Sequence, residues 1–385
     1  MTELEICRQK IDEIDARLVP LFLERMSVTR RVGEYKKRKG LPVLDSHREK
    51  QVLEAKTALA GDSADKADVA SLYESILAIS RRQQRRVVRE GTEDEGFAQW
   101  LRAYEWRRDP VQTPRVVYQG EPGAYSEEAA AGFFGEEVRS QGLPWFNDVF
   151  EALARGEADY AMLPIENSST GSIRQVYDLL AQYDFSLVGE WQVKVEHCLA
   201  ALPGVTMEDV KTVYSHEQGL MQCDRFLDGH RSWARVPALD TAGSAKQVKE
   251  TGDRTAAAIC SRRAAKLYGL NILACPINHN TANFTRFVVV SPRLELRADR
   301  DRIAAVFSLP HQAGSLHEIL TVFAVHGLNL QKLESRPIPD RGWEYRFFVE
   351  FTGDLTAPGM DGALHELSQL SADLRILGNF KGYEG

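Results

Sequence analysis

From residue 3 to residue 90, apolar side chains recur at helical spacing: Leu4, Cys7, Ile11, Ile14, Leu18 and Leu21, then Val28, Val32 and Tyr35. This 3,4 alternation predicts one long helix with a continuous apolar seam, ended by Gly40-Leu41-Pro42. A second helix is predicted from about Asp45, where Ser46 and Glu49 have capping-box spacing. A third carries Val69, Leu72, Ile76 and Ile79 on one face, and no stretch here alternates like a strand. Residues 91–113 read as a connector, opening on Gly91 and an acidic cluster and closing on Asp109-Pro110 and Thr113-Pro114. Trp100, Tyr104 and Trp106 inside it predict a short helix docked on a neighbouring domain.

Beyond residue 114 the period changes. Val116-Val117-Tyr118, Tyr160-Ala161-Met162-Leu163, Thr212-Val213-Tyr214, Ala256-Ala257-Ala258-Ile259 and Phe287-Val288-Val289-Val290 are short β-type runs separated by helical patterns. Residues 114–293 therefore read as α/β with substantially parallel sheet. Residues 300–385 read β-α-β-β-α-β, with strands near Ile303–Leu309, Leu330–Pro337, Tyr345–Phe351 and Arg375–Asn379 and helices near Ser315–His326 and Met360–Leu370. That is a ferredoxin-like order.

With 385 residues, 43% apolar and 27% charged, the chain is expected to form two or three soluble domains. Its net charge of −7 disfavours a chain-wide nucleic-acid or membrane role, and Arg81, Arg82, Arg85, Arg86 and Arg89 read as a solvated helix face. The five cysteines (Cys7, Cys198, Cys223, Cys260, Cys275) form no CxxC pair, which favours reduced thiols in a cytoplasm over disulfides or a zinc site. Glu3, Glu5, Asp12 and Glu13 do not read as a signal peptide, and no apolar run approaches the ~20 residues that span a bilayer.

Arg25 falls on the seam of the first helix, between Leu21 and Val28. A cation there needs an anionic partner, which a structural ion pair would also provide. Lys36, 11 residues on, returns to nearly the same face, and two inward cations suggest an anionic ligand. On the third helix Tyr73, Leu77, Ser80 and Gln84 share a line whose last two members are polar. With Arg8 and with Asp45, Arg48 and Glu49 at the start of the second helix, this set resembles the all-helical chorismate mutases. The resemblance implies that Arg8 and Arg25, with Arg48 and Ser80, hold the carboxylates of chorismate. Lys36 and Gln84 would donate to the breaking ether oxygen, and Glu49 and Asp45 would bind the ring hydroxyl. Such catalysis is positioning plus charge stabilisation. Arg8 lies 17 residues before Arg25, roughly 26 Å along one helix, so Arg8 would serve a partner's site and the enzyme would be a homodimer or higher homo-oligomer.

In the α/β segment, polar residues cluster after strands: Gly120-Glu121-Pro122-Gly123-Ala124-Tyr125-Ser126, Glu166-Asn167-Ser168-Ser169-Thr170-Gly171, and Ser215-His216-Glu217-Gln218 with Gln222 a turn later. These are positions where α/β folds place ligands, although ordinary helix capping would use the same residues. There is no Walker loop, catalytic Ser-His-Asp order or metal-ligand cluster. Asn283-Phe284-Thr285-Arg286-Phe287, Pro164-Ile165-Glu166-Asn167-Ser168 and Val213-Tyr214-Ser215-His216 make the segment similar to prephenate dehydratases. That family has two α/β lobes flanking a cleft, like periplasmic solute-binding proteins. The resemblance implies that Thr285 positions and donates to the leaving hydroxyl. Glu166, Asn167, Ser168, Ser215, Gln222, Arg286 and Phe287 would complete the prephenate site.

The tail resembles the ACT domain of these dehydratases through Gly314-Ser315-Leu316-His317 and Glu334-Ser335-Arg336-Pro337. The resemblance implies that phenylalanine binds there as a feedback effector. The whole then reads as a multidomain enzyme: a mutase domain over 1–90, a connector over 91–113, a dehydratase domain over 114–293 and an α+β ACT domain over 300–385. It would turn chorismate into prephenate and prephenate into phenylpyruvate, with no cofactor or metal. Competing readings are an active dehydratase with a merely dimerising helical domain, a solute sensor without catalysis, and nucleic-acid binding through the arginine run. The intact Arg8-to-Gln84 set, the presence of Thr285 and the acidic charge weigh against them in turn.

Overall fold

The computed structural model describes residues 2–61, 64–89, 110–309, 311–312, 314–339 and 341–383. The connector aromatics Trp100, Tyr104 and Trp106 lie outside the described residues. The chain divides into two compact units, Met1–Arg102 and Ala103–Gly385.

In the first unit, α1 spans Glu3–Lys39. Thr2 and Glu5 close a capping box at its start, and Gly40 ends it in the left-handed conformation at φ 62°. Helix α2, Ser46–Ala58, is capped by Asp45, whose Oδ1 accepts from the Arg48 amide at 2.9 Å. The cap is thus one residue earlier than the Ser46/Glu49 spacing predicts, because Asp45 occupies the position that faces the free amides. Helix α3, Lys66–Arg89, packs on α1 at Gly33, where a Cβ would stand 3.1 Å from the Gln84 Cα. The seam of α1 is otherwise bare: Leu4, Ile11, Ile14, Leu18 and Leu21 are all more than half exposed.

The second unit holds two sheets. In the first lobe β1 (Arg115–Gln119), β2 (Arg139–Leu143) and β3 (Tyr160–Asn167) pair in parallel. Strands β5 (Ser186–Lys194) and β11 (Phe284–Ser291) join them antiparallel, and β4 is the short Gly171–Ser172 strand beside β3. The second lobe is a five-stranded sheet ordered β10 (Asn271–Ala274), β6 (Cys198–Ala201), β9 (Ala256–Cys260), β7 (Thr212–His216), β8 (Ala234–Ala238). Its β10–β6 and β6–β9 pairs are antiparallel. The sheets are therefore mixed, not substantially parallel, because the strands flanking the two crossings between lobes return in the opposite sense. Helices α4 (Tyr125–Phe134), α7 (Glu217–Gln222) and α10 (Arg262–Leu267) start at strand ends facing the crossings.

The C-terminal region has the expected order: β12 (Arg302–Ser308), α11 (Ser315–Val325), β13 (Leu330–Pro337), β14 (Tyr345–Thr352), α12 (Met360–Leu370), β15 (Ala372–Phe380). Its sheet, β13-β14-β12-β15, continues into β5 of the first lobe. The join is at Gly378, where any Cβ would overlap the Leu187 carbonyl.

Cys198 and Cys275 are joined in a disulfide, which corrects the expectation of reduced thiols. They are 77 residues apart, and the β10–β6 pairing brings their Cα atoms to 4.4 Å, a proximity that chain spacing does not reveal. Cys7, Cys223 and Cys260 are free, and burial pushes the thiols of Cys223 and Cys260 up to about 12.

Candidate active sites

The helical unit encloses a cavity of about 750 Å³ between α1, α2 and α3. Arg25 and Lys36 line it from α1, Asp45, Arg48 and Glu49 from the start of α2, and Ser80 and Gln84 from α3. Arg25 donates to the Ser80 hydroxyl at 2.6 Å, and Ser80 donates to the Ile76 carbonyl at 2.6 Å, so the guanidinium is held in place. Lys36 reaches the Val43 carbonyl at 2.5 Å. The Gln84 Oε1 is buried with no hydrogen-bond partner among the described residues, so that oxygen calls for a donor, while the Nε2 end of the same side chain is the end able to donate. Three cations (Arg25, Lys36 and Arg48), three carboxylates (Glu24, Asp45 and Glu49) and a neutral amide share its walls with apolar residues. Asp45 caps α2 and Glu49 is paired with Arg81, so the cations remain for a small anion with a hydroxyl group. Arg8 does not line this cavity.

The second set of polar groups lies where the chain crosses between the lobes. The Asn167 Nδ2 donates to the Thr285 hydroxyl at 2.9 Å and to the Asn283 Oδ1 at 2.8 Å. Asn283 in turn donates to the Gln222 Oε1 at 2.9 Å, and that oxygen stands 2.9 Å from the His197 Nε2. Asn167 and Thr285 belong to the first lobe and Gln222 to the second. Thr285 is 9% exposed, and its hydroxyl accepts from Asn167 without donating to any described residue. Ser168 is spent locally: its hydroxyl donates to the Ala282 carbonyl and accepts from the Phe284 amide.

These two sites meet known proteins at every segment. Family models match at residues 7–85 (chorismate mutase type II), 116–295 (prephenate dehydratase) and 304–369 (ACT domain). The bifunctional chorismate mutase/prephenate dehydratase of Escherichia coli K12 is 31% identical over 377 residues, covering 96% of this chain and 94% of that one. The chain belongs to the bifunctional chorismate mutase/prephenate dehydratase family. The Aquifex aeolicus member is 29% identical, covering 99% of this chain and 98% of its own. The prephenate dehydratase of Arthrobacter aurescens, solved in complex with L-Phe, is 33% identical, with a TM-score of 0.64, covering 70% of this chain and 90% of that one. The helical unit is thus the chorismate mutase, the two-lobed region the prephenate dehydratase and the tail the ACT domain.

Within the mutase the predicted residues of α1, α2 and α3 converge, except Arg8. Arg81 is a correction: it is not on a solvated face but buried, in an ion pair with Glu49. That contact orients the Glu49 carboxylate at the cavity wall, and the charge run hid it because four further arginines follow it within eight residues.

Within the dehydratase the predicted set divides by strand alternation. Asn167 and Thr285 share one face, while Glu166 and Arg286 lie on the other, toward the ACT sheet. Arg286 donates to Glu350 of β14 at 3.0 and 2.5 Å and to Glu190 of β5 at 2.7 Å. Burial opposes its charge, but Glu350 and Glu190 outweigh that and hold its pKa above the ordinary guanidinium value. Glu166 pairs with Lys332 of β13 at 2.7 Å. Phe287 is 1% exposed in the core beside Tyr118 and Val289. Ser215 is fully buried and donates to the Ile259 carbonyl at 2.9 Å. Arg286, Glu166, Phe287 and Ser215 are therefore structural in this arrangement rather than lining the Thr285 site. Sequence reading missed His197 and Asn283. Asn283 opens the Asn-Phe-Thr-Arg-Phe run, but His197 had no motif to mark it.

The phenylalanine candidates also divide. Ser315 and Leu316, just after Gly314 (φ 88°), line a pocket of about 130 Å³ with Trp343, Tyr345 and Phe347. Glu334 accepts from Ser172 at 2.8 Å, and Arg336 binds Asp178 through two bonds at 2.9 and 2.7 Å. These two side chains fasten β13 to the dehydratase, while Ser335 and Pro337 alternate to the exposed side of this edge strand.

Proposed function

We propose that the helical cavity binds chorismate through Arg25, Arg48 and Ser80, and that Lys36 and Gln84 donate to its ether oxygen as that bond breaks. The observation that carries this is the convergence of Arg25, Lys36 and Gln84 on one cavity of about 750 Å³. Asp45 and Glu49 take the ring hydroxyl. Arg8 completes the cavity of a second copy, which is supported by its distance from Arg25 and by the bare α1 seam, a surface of the kind a partner helix covers. The enzyme is accordingly a homodimer or larger.

Prephenate then binds between the dehydratase lobes, beside Thr285, Asn167, Ser168 and Gln222. The ring C–O bond breaks with its electron pair leaving on oxygen, while the bond to the ring carboxylate supplies electrons to the aromatising ring. Carbon dioxide departs, and the oxygen takes a proton to leave as water. Donors aimed at that oxygen lower the barrier. L-Phenylalanine binds the ACT domain at the Gly314-Ser315-Leu316 turn, with Trp343, Tyr345 and Phe347 as apolar walls. The Ser172–Glu334 hydrogen bond and the Arg336–Asp178 ion pair carry its effect to the dehydratase. The division of labour is tested by two substitutions. Lys36→Ala should stop prephenate formation and spare prephenate dehydration, and Thr285→Ala should do the reverse. Loss of both activities in either folded variant contradicts two separate sites.

A further inference from the structure

We propose that His197 and Asn283 are positioning residues of the dehydratase: they fix the polarity of one hydrogen-bond chain so that Thr285 and Gln222 both meet the substrate as donors. The inference rests on the dehydratase reading of the Thr285 site and asks which end of each polar group the substrate sees.

The chain is anchored where no group can turn. The Asn167 side-chain oxygen accepts from the backbone amides of Ser169 at 3.0 Å and Thr170 at 3.1 Å. Backbone N–H groups only donate, so this end of the amide is the oxygen and the other end is NH₂. That NH₂ donates to Thr285 Oγ1 and Asn283 Oδ1. Thr285 is consequently an acceptor inside the protein, and its own proton is left for a ligand. Asn283, having accepted on its oxygen, presents its NH₂ to the Gln222 Oε1. The same Gln222 oxygen meets the His197 Nε2, which must then carry the ring proton. Two donors hold Oε1, and the Gln222 NH₂ is left without a partner among the described residues.

His197 is 3% exposed, and burial lowers its pKa to about 4, so at neutral pH it holds a single ring proton. With the proton on Nε2, its Nδ1 can only accept, and the Tyr125 hydroxyl at 3.3 Å is the donor within reach; that hydroxyl's single proton is shared between Nδ1 and the Glu196 carbonyl at 2.9 Å. His197 and Asn283 also sit in the two segments that cross between the lobes, so the chain is continuous only while Gln222 of the second lobe is docked against the first. Negative charge develops on the leaving oxygen, and two neutral donors fixed in advance serve it better than amides free to turn.

The test is the ring tautomer of His197 in the full-length protein labelled with ¹⁵N-histidine, assigned by comparison with His197→Asn. The expected state at pH 7 is neutral with the proton on Nε2. A neutral ring with its proton on Nδ1 overturns the proposal, because Gln222 would then turn its NH₂ to the bare Nε2 and present its oxygen to the substrate. Kinetics provide a second reading. Asn283→Asp keeps the shape and removes the donor, and His197→Asn withdraws the donor from the Nε2 position. Each should lower kcat for prephenate about 10-fold or more, with KM changed less than about 3-fold. His197→Gln, which restores an NH₂ near the Nε2 position, should recover most of the rate. If His197→Gln is as slow as His197→Asn at equal thermal stability, the side chain serves packing and the proposal fails. Thr285→Ala separates the two levels: full dehydration in that variant removes the site reading itself, whereas its inactivity together with an Nδ1 tautomer removes only the polarity argument.

Discussion

Replacing Arg286 by Met separates a structural cation from a substrate-binding one. Arg286 is 12% exposed and makes three hydrogen bonds to Glu350 and Glu190, whose side chains are 7% and 0% exposed. Without it, Glu190 keeps Arg302 at 2.8 Å, but Glu350 is left with Arg302 only at 3.8 Å. Removing one partner of a buried pair costs about 3–5 kcal/mol because the other charge stays buried. Arg302 offsets part of that, so a loss of about 3 kcal/mol is expected. At roughly 2–4 °C per kcal/mol for a body of this size, Tm should fall by about 6–12 °C. The prephenate KM should change less than about 2-fold, since Arg286 lies on the strand face opposite Thr285. The double variant Arg286→Met with Glu350→Leu should recover more than half of the loss, because no unpaired carboxylate then remains beside β14. The assays are thermal unfolding followed by tryptophan fluorescence and prephenate kinetics on the same samples. A KM raised 10-fold or more with Tm unchanged would refute the reasoning and return Arg286 to the substrate.

Further outcomes follow from the other sites. Gln84→Glu should move the mutase optimum to acidic pH and cost about 100-fold at pH 7, because a carboxyl donates only when protonated; an unchanged pH–rate profile argues that Gln84 does not touch the ether oxygen. The folded pKa of His197 lies below its ordinary value, near 4 against 6.5, because burial outweighs its bond to Gln222. Its contribution is therefore fully present above about pH 6.5 and is lost as pH falls toward 4, by about 3 kcal/mol in all. Urea midpoints between pH 7.5 and 4.5 should show this slope, and His197→Gln should flatten it. Trp343→Ala should raise the phenylalanine concentration for half-inhibition about 10-fold and leave uninhibited dehydration within about 2-fold; unchanged inhibition places the effector elsewhere.

Much of this was legible in the sequence where a short-range pattern carries the information. The 3,4 spacing of Leu4 to Tyr35 predicts α1, and the end at Gly40 follows from a residue that accepts the left-handed conformation. Ser80 and Gln84 stand out as polar members of an apolar line, and the cavity wall is where they are found. The misreadings arise where long-range pairing decides. Arg286 neighbours Thr285 in sequence, yet strand alternation sends the two to opposite faces, and only the antiparallel pairing of β11 with β5 brings Glu190 to it. Arg81 looks like one of five solvent-facing arginines until α2 brings Glu49 against it. The joining of Cys198 to Cys275 depends on a strand pairing across 77 residues. His197 has no flanking motif, and its importance comes from three partners that are distant in sequence.

The most direct measurement is to incubate the full-length enzyme with chorismate as sole substrate and resolve the products by chromatography over time. The account predicts transient prephenate followed by phenylpyruvate, with Lys36→Ala leaving chorismate unconsumed and Thr285→Ala halting at prephenate. Prephenate that accumulates without further conversion by the unsubstituted protein, or chorismate that is never consumed, would contradict it.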